Sequence, residues 1–128
     1  MRMAYDRVHT VSHFHDHIRS GFADLDGRPH AFDAVFDDAA DDYSGQFQLT
    51  PITADLLARA LRQHAIFTAW QTRFTAGQAD RATHPLRADA EFKLLEARKV
   101  AEMATITPLT VLYSATFRDG QVEWTPVP

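Results

Sequence analysis

The sequence predicts an α+β fold, an antiparallel sheet of N- and C-terminal hairpins packed on two helices, with residues 1–128 forming a single domain. Three observations predict it. Extended, loosely alternating runs occupy the first third of the chain and its last residues, while helical periodicity fills the middle. Asp26-Gly27 and Asp119-Gly120 each stand between extended runs. Both central positions of a two-residue hairpin turn need positive φ, which Asp-Gly tolerates well. Strands, then helices, then strands is the order of an α+β domain.

Val8 to Ile18 reads as the first extended run, and Gly21 to Leu25 leads into the Asp26-Gly27 turn. The return strand, Pro29 to Phe36, alternates imperfectly, which predicts a bulge near Asp33-Ala34. Asp37 to Tyr43 is a polar turn, and Gln46 to Leu49 is one more short strand. Thr53, or Thr50 with Pro51 at the first helical position, suits the start of a long helix, and Asp55 favours its positive end. Leu57, Leu61, His64, Phe67, Trp70 and Phe74 recur at three- and four-residue steps, and Gly77 suits the stop. A second helix is expected from Thr83-His84-Pro85 to about Met103, with Leu86, Ala90, Leu94, Ala97 and Ala101 on one face. Arg87–Glu91, Asp89–Lys93 and Arg98–Glu102 have the i,i+4 spacing that supports a helix modestly. Leu109 to Phe117 and Gln121 to Trp124 form the closing hairpin. The sheet side of the core is then Phe22, Phe32, Phe36, Phe47, Leu112 and Phe117.

Composition narrows the chemistry. Apolar residues make up 45% and charged residues 23%, as in a globular chain. With no cysteine, the chain has no disulfide, thiolate metal site or thiol nucleophile. No apolar segment follows the basic N-terminal residue and none is long enough to span a bilayer, so a cytoplasmic location is expected, without a membrane partner. The net charge of −4 is uneven: seven aspartates against Arg28 between residues 22 and 43, and eight basic residues against four carboxylates between 56 and 100. A sequence pI near 5.9 argues against a nucleic-acid partner. No phosphate-binding glycine loop, nucleophile elbow or H-E-x-x-H motif occurs.

Three clusters are left as candidates. His13, His15 and His17 would share one face of a strand, and imidazole suits zinc, nickel or copper. Same-strand histidines converge poorly on one ion, so no metal is assigned. His30 with Asp38, Asp41, Asp42 and Tyr43 offers acid–base groups or oxygen ligands, though an exposed, solvated turn accounts for the aspartates more readily. Arg73, Arg81 and His84, near the connection between the helices, are candidate ligands for a small anion. His64, inside the apolar stripe, is expected in the core or at a cleft as an acid or base.

The run Gly21 to Phe32, followed by Asp41-Asp42-Tyr43-Ser44 and Phe47 to Pro51, resembles a family of uncharacterised bacterial proteins. The resemblance continues through Trp70, Thr83-His84-Pro85 and Val122-Glu123-Trp124, and leaves out His13, His15 and His17. It carries no known activity. It implies only that the Gly-Arg-Pro-His and Asp-Asp-Tyr-Ser segments are worth testing together.

The function expected from the sequence is a non-catalytic binding or protein-interaction module without a cofactor. Its partner would be a protein or small ligand, or a second copy paired through an exposed sheet edge. The alternative is a small hydrolase, using a divalent metal or His/Asp acid–base chemistry.

Overall fold

The computed structural model describes residues 5–14 and 17–128. The chain divides into two compact units. One combines the segment up to Thr53 with Ile106–Pro128, and the other is Ala54–Thr105.

The first unit corrects the expected fold. Six strands, β1 (Asp6–Phe14), β2 (His17–Leu25), β3 (Arg28–Asp37), β4 (Asp42–Pro51), β5 (Leu112–Arg118) and β6 (Gln121–Pro126), close in sequence order into an antiparallel barrel, in place of an open sheet packed on two helices. The reason lies in what the inward faces meet. Ala23, Leu25, Phe32, Phe47, Leu49, Val122 and Trp124 form one buried cluster, and every member belongs to a strand. Phe32 lies edge-on to Phe47 and Trp124, with ring centres 5.7 and 5.5 Å away, and 5.8 Å from Phe117. A closed sheet supplies its own second layer, so this core is complete without a helix. Of the expected sheet core, Phe32 and Phe47 are buried, whereas Phe36 is 46% exposed.

The local signals behave as the residues dictate. Asp26 and Gly27 (φ 54° and 76°) and Asp119 and Gly120 (51° and 75°) form turns with positive φ at both positions. The β3–β4 irregularity falls between Ala34 and Phe36, one step beyond the expected bulge. Gly21 is fixed by close approach: a Cβ there would collide with the Thr10 carbonyl and sit 2.9 Å from Phe32 Cζ. Barrel closure is narrow. Among the described residues, β1 meets β6 through Asp6 and Arg7, with Val8 N–H donating to Gly120 O, and β4 meets β5 over three residue pairs, Gln46 to Gln48.

The second unit holds α1 (Ala54–Thr75), a 3-10 turn (Arg81–Thr83), α2 (Pro85–Ala88) and α3 (Ala90–Met103). The single helix expected from 83 to 103 is broken at Asp89, which adopts an extended conformation and caps α3 by accepting from Phe92 N–H at 2.8 Å. The buried stripes also differ from the periodicity. On α1 the buried residues are Leu56, Ala60, Gln63 and Trp70, while His64 is exposed. On α3 they are Phe92 and Leu95, leaving Leu94 60% exposed. Glu91 and Glu102, expected to pair with Arg87 and Arg98 along the second helix, pair with α1 instead: Glu91 with Arg62 at 2.7 and 2.9 Å, and Glu102 with Arg59. Gln63 donates to Glu96. Among the described residues, no helix is long and apolar enough to cross a membrane.

Candidate functional site

The two ends of the barrel are chemically different. One end carries the Asp26-Gly27 turn. There the Asp6 carboxylate, 7% exposed, accepts from Asp26 N–H at 3.2 Å and Gly27 N–H at 3.0 Å, holding the turn against β1. His30, also 7% exposed, donates from Nδ1 to the Arg28 carbonyl at 2.8 Å. A ring so held is a buried turn brace. His9 Nε2 lies 2.9 Å from Asp24 Oδ1, and Trp124 Nε1–H donates to the Asp24 carbonyl at 2.9 Å.

The other end carries residues 38–41, the Asp119-Gly120 turn and the start of β2. It opens because the β4–β5 ladder stops at Gln46–Ser114. Ser44 and Gly45 then separate from Ala115 and Phe117, and a cavity of about 510 Å³ lies at the mouth. Its floor is Phe47 and Phe117, continuous with the core, with Ile18, Ala34 and Ala115 on the walls. Its rim is His17, Asp42, Tyr43, Ser44 and Gly45. The Tyr43 ring is fixed edge-on against Phe36 at 5.3 Å, with the Arg19 guanidinium 5.7 Å from its centre. Ser44 Oγ donates to the Val35 carbonyl at 2.9 Å and accepts from Gln46 N–H at 3.2 Å, shaping the rim. Crowding by neighbouring atoms pushes the Asp33 carboxyl up from its ordinary value, and Arg19 partly offsets this.

This geometry separates groups that the sequence placed together. His30 and the acidic turn lie at opposite ends of β3, on the order of 20 Å apart at ~3.3 Å per residue. His30 therefore does not meet Asp38, Asp41, Asp42 or Tyr43. Asp42 and Tyr43 reach the cavity rim, but Asp38 and Asp41 do not line it. The Gly-Arg-Pro-His and Asp-Asp-Tyr-Ser segments likewise fall at opposite ends. His13 and His17 sit on facing strands, where His13 pairs with Ile18 and Phe14 with His17, and His15 lies outside the described residues. Among the described residues, no three His, Cys, Asp or Glu side chains form a group fit to hold a metal.

Of the three anion candidates, Arg81 and His84 line one cleft of the helical unit, and Arg87 stands there in place of Arg73. Barrel closure uses only part of the edge invoked for a homodimer: it joins Asp6 and Arg7 of β1 to Val122 and Gln121 of β6, and β1 beyond Val8 lies outside that pairing. The apolar floor was missed because Phe47 and Phe117 read as ordinary core positions. Their place at the cavity floor follows from where pairing between distant strands ends. No family model, curated protein or solved structure matches the chain.

Proposed function

We propose that the chain is a non-catalytic binding module whose barrel mouth takes a small molecule with an apolar body and a polar end. The apolar body would rest on Phe47 and Phe117, and the polar end would meet His17, Tyr43 and Ser44 at the rim. The observation that carries this reading is the cavity itself: about 510 Å³, floored by core aromatics and rimmed by polar groups. Ligand sites are typically concave, mostly apolar and furnished with a few orienting polar groups. The absence of cysteine suits work in the cytoplasm.

A series of n-alkanols titrated by calorimetry tests it. Each added CH₂ buried in the mouth contributes about 0.8 kcal/mol, so affinity should rise about fourfold per carbon until the cavity is full. Ala34→Trp or Ala115→Phe, each checked for folding by circular dichroism, should abolish the heat by filling the mouth. Absence of saturable binding to the unmodified protein, or binding unaffected by both substitutions in folded protein, would refute the reading.

A further inference from the structure

The helical unit contains a second cleft, of about 360 Å³, lined by Trp70, Phe74, Arg81, His84 and Arg87. Its character is opposite to that of the barrel mouth, since three of the five lining residues are basic and none is acidic. The carboxylates adjacent in sequence are committed elsewhere. Asp80 Oδ1 accepts from Thr83 N–H at 3.2 Å, and Asp89 Oδ1 accepts from Phe92 N–H. Arg59 and Arg62 of the same unit have carboxylate partners, whereas among the described residues Arg81 and Arg87 have none. Two guanidinium groups therefore share a concave surface that no carboxylate lines, and neither is held in an ion pair among the described residues.

The aromatic wall is equally well defined. Trp70 and Phe74 are stacked, with ring centres 4.9 Å apart and planes at 29°, and Phe74 is 39% exposed. Trp70 Nε1–H is occupied by Thr83 Oγ1 at 3.0 Å, which holds the indole in place. His84 meets Trp70 edge-on at 4.8 Å, and its Nδ1 accepts from Leu86 N–H at 3.1 Å. An Nδ1 that accepts leaves the ring proton on Nε2, so the uncommitted nitrogen of His84 is a donor. Guanidinium forks match carboxylate and phosphate oxygens in bidentate geometry, and an exposed aromatic ring accepts a flat partner.

We infer that this cleft binds a small aromatic anion, a carboxylate or phosphate carried on a flat ring. Arg81 and Arg87 would pair with the anion, His84 would donate to it, and Phe74 would cover the ring. The site is separate from the barrel mouth and uses different chemistry.

Phenyl phosphate and 1-naphthoate are suitable probes, titrated into the intact chain by calorimetry with parallel amide NMR. Saturable binding is expected, with shifts at the Trp70 indole N–H and at His84. Inorganic phosphate and cyclohexanecarboxylate should bind at least several-fold more weakly. Arg81→Gln and Arg87→Gln should each weaken binding about tenfold, the scale of one charge-assisted hydrogen bond. Arg73→Gln, outside the cleft, should leave it unchanged. Ala34→Trp, which fills the barrel mouth, should also leave it unchanged, so failure of the mouth proposal and failure of this one are distinguishable. No saturable binding, equal weakening by Arg73→Gln and Arg81→Gln, equal affinity for inorganic phosphate, or loss on Ala34→Trp in folded protein would each overturn the inference.

Discussion

The barrel and the helical unit are held together by different physics. The barrel encloses an aromatic core around Phe32, Phe47 and Trp124, with the buried Asp6 carboxylate bracing a turn. In the helical unit, α1 and α3 are linked by Arg59–Glu102, Arg62–Glu91 and Gln63–Glu96, groups partly or wholly open to water. Apolar burial is insensitive to modest salt and to acid, whereas exposed charge pairs are screened and titrate. One chain thus carries a unit whose main cohesion, apolar burial, should hardly notice salt, and another whose inter-helix charge pairs are open to screening.

The largest expected effect tests the barrel's packing. Gly21→Ala forces β1 away from β2, because the new Cβ meets the Thr10 backbone and Phe32. The cost should be about 3 kcal/mol, at the upper end for overpacking, read as a lower guanidinium midpoint. Asp6→Ala comes next. It strips two turn N–H groups of their acceptor and should cost about 2 kcal/mol, with faster amide exchange at Asp26 and Gly27. If either change loosened α1 and α3 as much as the barrel strands, the contrast between the units would fail.

Smaller effects sharpen the other half of the comparison. Partial burial works to raise the Glu96 carboxyl, but hydrogen bonds from Gln63 and Lys99 outweigh it and hold the group below its ordinary value. A lowered folded-state pKa stabilises above the unfolded value and is lost as pH falls through the folded one. Glu96→Gln should therefore speed exchange in α3 at neutral pH, and the difference from the parent should vanish in acid below the ordinary carboxylate range. Asp33 has the opposite sign. Its carboxyl is raised, so its charge opposes folding above that raised value, and Asp33→Asn should raise the melting temperature slightly at neutral pH but not in acid. Glu91→Gln is expected to do least. Its pair with Arg62 is more than half exposed, so no shift in the unfolding midpoint should be measurable in moderate salt.

Much of the local structure was legible in the residues. Asp26-Gly27 and Asp119-Gly120 marked their turns because positive φ is a property of two adjacent residues. The long α1 was legible from its apolar recurrence. The buried stripe was less so: hydrophobicity alone selected His64, yet the buried polar residue is Gln63, whose partner Glu96 comes from α3. The break at Asp89 was written in the sequence as a capping residue, and the continuous helical pattern across it concealed the signal.

Of the candidate sites, Arg81 and His84 were legible as a local cluster because a 3-10 turn separates them by only a few residues. The barrel mouth was not. It exists because β4 stops pairing with β5 beyond Gln46, a contact between residues far apart in the chain.

By itself the sequence determined that extended runs flank a helical middle, where the two Asp-Gly turns fall, and that no thiol chemistry is available, since these depend on residue type and near neighbours. The tertiary structure alone decided that the strands close into a barrel, that His30 lies far from the acidic turn, and that Arg87 rather than Arg73 joins Arg81. Closure and convergence depend on which distant segments pair, and each strand's alternation fits an open sheet and a closed one equally well.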